Sequence, residues 1–185
     1  MRVIAGSARR LNLKTIEGND TRPTTDRIKE TLFNILTSDV PGASFLDLFA
    51  GSGGIGIEAL SRGASDCTFI EQNVKAIACI KDNLAFTRLS DRATVLRRDA
   101  VSFVNGLSIV SYDIIFMDPP YGMGLEKAVL SALSGKPFDT DTLIVVEARL
   151  DEDFDYLDSM GYDMIKEKIY KTNKHVFIGK KGQHE

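Results

Sequence analysis

Residues 44–56 read SFLDLFAGSGGIG, and this stretch decides the fold. Ser44 to Phe49 is a short apolar run with the length and content of a buried β-strand. The glycine-rich turn after it leads into IGIEALSRG, residues 55–63, which reads as a helix. Gly51, Gly53 and Gly56 give a GxGxxG spacing between strand and helix. Glycines there let the turn take positive φ and let a ligand approach the backbone. The helix start offers free N–H groups and the positive end of a dipole. Alone, the motif serves a dinucleotide as well as any other adenosine-containing ligand.

Outward from that turn the chain alternates strand and helix. CTFIE (67–71), ATVLRRD (93–99), YDIIFMD (112–118) and TLIVVEA (142–148) read as strands. Residues 73–86, AVSFVNGL (100–107) and 124–134 read as the intervening helices. YDMIKEKIYK and KHVFIGKK flank Thr172-Asn173 and read as a terminal antiparallel hairpin. Alternation of this kind predicts an α/β, Rossmann-like doubly wound sheet, mostly parallel, with helices on both faces. Its ligand lies at the carboxyl ends of the strands. Upstream, residues 1–15 suggest a small hairpin turning near Gly6-Ser7, followed by the polar loop EGNDTRPTT. Ile28, Leu32, Ile35 and Leu36 then fall on one helical stripe, with Thr24 or Thr25 as N-cap and Pro41-Gly42 as the stop. The expected division is an N-terminal extension over 1–40, packed on the main domain over 41–185.

The 185 residues suit one domain with an appendage, large enough to bury a core without disulfides. Hydrophobic residues at 43% and charged residues at 26% exclude a disordered, collagen-like or disulfide-scaffold chain. No apolar run approaches a membrane span, and the first residues carry no secretory apolar region. Cys67 and Cys79 form no CxxC pair, which fits a reducing cytoplasm. His175 in the terminal hairpin and His184 in the tail read as surface residues, and no metal cluster is expected. Net charge is −3, unevenly spread. Residues 1–46 hold 7 Lys/Arg against 5 Asp/Glu, residues 47–165 hold 10 against 19, and residues 166–185 hold 6 against 2. Two basic ends flanking an acidic middle hint at a polyanion partner for the ends.

Three acids stand at or near successive strand ends: Asp47, Glu71 and Asp99. Glu71 lies 20 residues after Gly51, where an acid accepts hydrogen bonds from ribose hydroxyls. Asp99 either meets an adenine amino group or caps the helix that follows it. The most specific signal is Asp118-Pro119-Pro120-Tyr121, which follows the fourth strand. The prolines stiffen the loop. A carboxylate, a fixed carbonyl and an aromatic ring then stand together at the active edge. That set suits a planar base with an exocyclic amine. Asp118 and the Pro119 carbonyl each accept one N–H bond, which localises the amine lone pair. Tyr121 stacks on the base.

DLFAGSGGIG with DPPY resembles class I S-adenosylmethionine-dependent methyltransferases that modify amino groups. TRPTTDRIKETLFNIL at 21–36, preceded by RVIAGSARRLNL at 2–13, extends the likeness to the RsmD family, bacterial 16S ribosomal RNA guanine-N2 methyltransferases. It departs at SARR, where that family more often carries a glycine-rich, aromatic-containing stretch. The resemblance implies the class I methyltransferase fold, S-adenosyl-L-methionine as cofactor and no metal. It implies that Asp47, Phe49, Ala50, Gly51, Gly53 and Gly56 line the methionine and ribose. It implies further that Glu71 and Gln72 hold the ribose, and Asp99 and Ala100 the adenine edge. Asp118, Pro119, Pro120 and Tyr121 would hold the target guanine. Arg9, Arg10, Arg22, Arg27 and Lys29 would contact RNA or position the loop over the site. The partner implied is 16S rRNA, within a small-subunit assembly particle, for a monomeric cytoplasmic enzyme.

The chemistry expected is in-line methyl transfer to the guanine N2 amine, driven by positioning and desolvation. Asp118 stabilises the positive charge that develops on the amine. The basic N-terminal region and the KEKIYKTNKH hairpin are expected to form an RNA-facing rim. Rival readings are a DNA or protein-glutamine amino-group methyltransferase, a nicotinamide-dependent oxidoreductase, and a non-catalytic RNA-binding module.

Overall fold

A computed structural model describes residues 1–16, 26–138 and 141–182. The main domain is a seven-stranded sheet in the order β3-β2-β1-β4-β5-β7-β6. Strands β1 (Ser44–Leu48), β2 (Asp66–Glu71), β3 (Ala93–Arg97), β4 (Ile114–Met117) and β5 (Leu143–Arg149) run parallel. Strand β7 (Asn173–Lys180) returns antiparallel against β5, and β6 (Tyr162–Ile169) closes that edge. The terminal hairpin is therefore where the sequence predicts it.

Parallel strands are joined by crossovers that cover both faces of the sheet, so their residues read as continuous apolar runs. β4 is IIFM, buried at all four positions. One face packs on α1 (Asp26–Ile35), α2 (Gly54–Ser61) and α3 (Val74–Thr87), with Leu32, Phe33, Ile57, Leu60 and Ile80 against Phe45, Phe69, Phe116 and Val145. The other packs on α4 (Ala100–Asn105) and α5 (Leu125–Ser134), with Val104, Val129 and Leu133 against Leu46, Met117 and Val146. Two caps fix where crossovers begin. Asn73 accepts from the Lys75 and Ala76 N–H groups at the start of α3. Asp99 accepts from Ser102 N at the start of α4, so its capping reading holds.

The N-terminal segment is a minimal hairpin, with one bridge between Arg2 and Asn12 and a turn over residues 6–10. It is fastened to α2 through polar groups. Glu58, fully buried, accepts from Ile4 N at 2.8 Å and Ala5 N at 3.0 Å. The same carboxylate meets Lys29 Nζ at 3.2 Å and Arg62 Nε at 2.8 Å. Lys29 is itself fully buried and also donates to the Arg2 carbonyl at 2.5 Å. This corrects the expectation that Lys29 meets RNA. A lysine with no exposed surface reaches no phosphate; it is the counter-ion of Glu58. The expected N-cap at Thr24 or Thr25 lies outside the described residues.

Candidate active site

The strand order reverses between β1 and β4, and ligands of open α/β sheets bind at such a switch point. The loops leaving these two strands are residues 49–53 and Asp118-Pro119-Pro120-Tyr121. The glycine loop and the DPPY loop, separated by more than 60 residues in sequence, are thus neighbours at one crevice.

The loop after β1 is strained. Phe49 has φ 62°, in the left-handed region that disfavours side chains with a Cβ. Such strain concentrates at functional sites. Gly51 has φ 56°, and a Cβ added there meets nothing within 4 Å, so the backbone faces open space. Gly56 serves packing instead. A Cβ there would lie 2.3 Å from the Phe69 ring, so only glycine lets α2 sit this close to β2.

Two backbone donors of this glycine-rich turn are engaged by carboxylates, and Gly53 N donates to the Ala50 carbonyl. Gly51 N donates to Glu71 at 2.9 Å, and Gly56 N donates to Asp47 at 2.9 Å. The second Glu71 oxygen accepts from Gln72 N and Asn73 N, both at 2.8 Å. A dinucleotide-binding turn offers its N–H groups to a pyrophosphate. Here the turn presents acids, and the crevice suits a cationic nucleoside rather than a polyphosphate.

Electrostatics point the same way. Burial pushes the Asp47 carboxyl up to about 7, against the pull of the Gly56 N–H. Burial, and then the charges of Glu147 and Asp47, hold Asp118 well above the usual carboxylate range. Carboxylates crowded in this way are relieved by a bound cation. Pro119 is buried, Pro120 is exposed, and Tyr121 is 44% exposed.

Asp47, Glu71, Asp99 and Asp118 all come to the carboxyl edge of the sheet, with Phe49, Ala50, Gly51 and Gly53 between them. Gln72 is exposed beside Glu71, and Ala100 is buried at the start of α4. Arg9, Arg10 and Arg27 are exposed and line a groove of about 480 Å³ with Arg2, Asp26 and Glu30. Arg2 is paired with Asp26 at 2.9 Å. Arg22 and His184 lie outside the described residues.

His175 is another correction. It has no exposed surface, because β7 runs inside the sheet between β5 and β6. Of the expected basic hairpin rim, Lys174 is also withdrawn, paired with Glu167 at 2.9 Å and lying over the Phe154 ring. Lys166, Lys168 and Lys171 are exposed. Sequence reasoning also passed over Glu147. Its signal was available: an acid closing the apolar run LIVV, as Glu71 closes its own strand.

Comparison with known proteins adds an independent line. The family described as conserved hypothetical protein 95 matches residues 1–179. A Bacillus subtilis protein, YlbH, is 43% identical over 150 residues, covering 80% of this chain and 82% of that one. Ribosomal RNA small subunit methyltransferase D of Escherichia coli is 38% identical over 152 residues, covering 82% of this chain and 76% of that one. A solved Escherichia coli structure superposes with a TM-score of 0.83 at 32% identity, covering 97% of each chain. The glycine loop, the DPPY loop, the sheet order and these matches agree, and the chain belongs to the conserved hypothetical protein 95 family, which is the RsmD family its motifs resemble.

Proposed function

We propose that this protein is an S-adenosylmethionine-dependent methyltransferase of small-subunit ribosomal RNA, acting on the N2 amine of a guanine. The observation that carries the reading is the carboxylate-lined switch-point crevice, with DPPY on one wall and a glycine loop of engaged N–H groups on the other. Its relatives from Escherichia coli and Haemophilus influenzae carry the name ribosomal RNA small subunit methyltransferase D. When bound, S-adenosylmethionine supplies an electrophilic methyl on a positively charged sulfur. Glu71, oriented by three backbone N–H groups, keeps acceptor capacity for ribose hydroxyls. Asp99 caps α4 with one oxygen and offers the other to an adenine amine.

Asp118 and the Pro119 carbonyl accept the two N–H bonds of the target amine. Tyr121 holds the base by stacking, worth about 1–3 kcal/mol. The lone pair so aimed would take the methyl that the bound cofactor supplies, the C–S electron pair staying with the cofactor's sulfur, and the surplus amine proton would leave through Asp118. Residues 1–40 act as the RNA-facing extension, with Arg9, Arg10 and Arg27 on phosphates. A guanine amine is hidden in a helix, so the target base lies in a loop or is flipped out. An assembling small subunit, met by a cytoplasmic monomer, fits so small a contact surface.

Calorimetry tests the cofactor half. S-adenosylmethionine and its demethylated product bind one site, Glu71→Ala weakens both by at least about tenfold, and nicotinamide dinucleotides do not bind. Dinucleotide binding without S-adenosylmethionine binding would return the site to an oxidoreductase.

A further inference from the structure

Beside Asp118 the sheet carries a buried polar chain that the proposed chemistry leaves unused. Met117 pairs with Val146 in the β4–β5 register, so Asp118 and Glu147 occupy the next position. Glu147 pairs with His175 across β5–β7. Phe116, Val145 and Phe177 face the α2 side of the sheet, and two-residue alternation puts Glu147 and His175 on that same side; Asp118, the first residue after β4, lies close enough to Glu147 for the two charges to interact. Asp118, just past the end of β4, and Glu147 and His175 on β5 and β7 thus form one row at this edge of the sheet.

The row is wired. Glu147 Oε1 accepts from Asn173 Nδ2 at 2.5 Å, and Oε2 meets His175 Nε2 at 3.2 Å. His175 Nδ1 meets the Tyr170 hydroxyl at 3.0 Å. The imidazole stands edge-on to Phe116 and Tyr170, at 6.0 and 5.1 Å between centroids. His175 has no exposed surface and Glu147 is 6% exposed, while Tyr170 is half-buried and leads toward solvent. A fully buried histidine is costly unless both ring nitrogens are satisfied, and here both are.

We propose that Glu147 and His175 are positioning residues that set the charge state of Asp118, and so the pH at which methyl transfer turns on. This rests on the methyltransferase reading above. The charged groups acting on Asp118 are Glu147 on β5 and Asp47 on β1; His175 on β7 meets Glu147, and the Tyr170 hydroxyl meets His175 in turn. Both acids oppose ionisation of Asp118. His175 is the group in the row able to carry a compensating proton, held between Glu147 and Tyr170. Protonated, it screens Glu147 and lets Asp118 stay ionised as an acceptor for the target amine. Neutral, it leaves the Glu147 charge facing Asp118.

The test is the single-turnover methyl-transfer rate against pH, at saturating cofactor and RNA, with thermal stability measured alongside. Glu147→Gln removes the opposing charge and moves the acid limb down by about one unit, which is about tenfold in rate on that limb. His175→Gln removes the screening proton and moves the limb up. Limbs that stay in place, with only amplitude or stability lost, would overturn the proposal. A second measurement needs neither turnover nor a buried-pair variant: the His175 ring titration by NMR in the wild-type protein and in Asp118→Asn. Removing the Asp118 charge lowers the His175 midpoint; an unchanged midpoint would overturn the coupling. Wild-type protein that transfers no methyl counts against the methyltransferase reading, and the ring titration still decides the pair.

Discussion

Asp47 gives the structure a measurable pH signature. The unfolded chain titrates it near the ordinary aspartate value of 3.8, whereas burial raises it to about 7 in the fold. The native state therefore binds this proton more tightly than the unfolded state. Stability from this group is complete below pH 4 and is lost as pH rises toward 7. Three units correspond to roughly 4 kcal/mol in full, and between pH 5 and 8 the loss is about 2–3 kcal/mol. Asp47→Asn keeps an acceptor for Gly56 N and removes the titration. Urea unfolding at pH 5 and pH 8 measures both proteins. Asp118 titrates in each; removing the Asp47 charge also eases its ionisation, so the difference between the two proteins reports Asp47 together with its coupling to Asp118. The wild type loses about 2–3 kcal/mol more than the variant over that interval. Parallel losses would refute the assignment of Asp47 as a protonatable, buried member of the crevice.

Other outcomes follow from the same geometry. A cationic ligand stabilises ionised Asp47 and Asp118, so S-adenosylmethionine binds more tightly at pH 8 than at pH 6, while its uncharged-sulfur product changes less; calorimetry at the two pH values checks this. Lys29→Ala leaves Glu58 buried with one partner fewer and costs about 3–5 kcal/mol in urea unfolding. An RNA-contact role for Lys29 predicts no such loss. Arg9→Gln with Arg10→Gln and Arg27→Gln reduces the salt slope of RNA binding by about two to three, read by filter binding across salt concentrations. Asn83→Ala removes bonds that join Lys14 N and O to the Ser52 carbonyl of the glycine loop, and it lowers both stability and cofactor affinity.

The five parallel strands were readable in the sequence because they are largely apolar runs of four to seven residues separated by helix-length segments. The crevice was readable because glycine spacing and DPPY are local motifs. What escaped was set by long-range pairing. Lys29 looks like a surface cation in DRIKETLF, and only the docking of the N-terminal hairpin on Glu58 buries it. His175 lies in KHVFIGKK, whose lysines suggest solvent, yet β7 is flanked on both sides and every position from Asn173 to Gly179 is buried. Glu147 becomes notable only when the pairing of β4 with β5 brings it near Asp118, the residue that follows β4. Asp99 carried two readings, and one carboxylate serves the cap while retaining a second oxygen.

The central claim is that the DPPY wall aims a guanine amine at a methyl donor. The most direct measurement uses methyl-labelled S-adenosylmethionine with small subunits, and separately with free 16S RNA, from cells lacking this modification. Nucleoside analysis follows, for wild type and Asp118→Asn. The account predicts label in N2-methylguanosine, reduced about 10²–10⁴-fold by Asp118→Asn, with cofactor affinity retained within a few-fold. Label in another nucleoside, in protein, or at an undiminished rate in Asp118→Asn would contradict it.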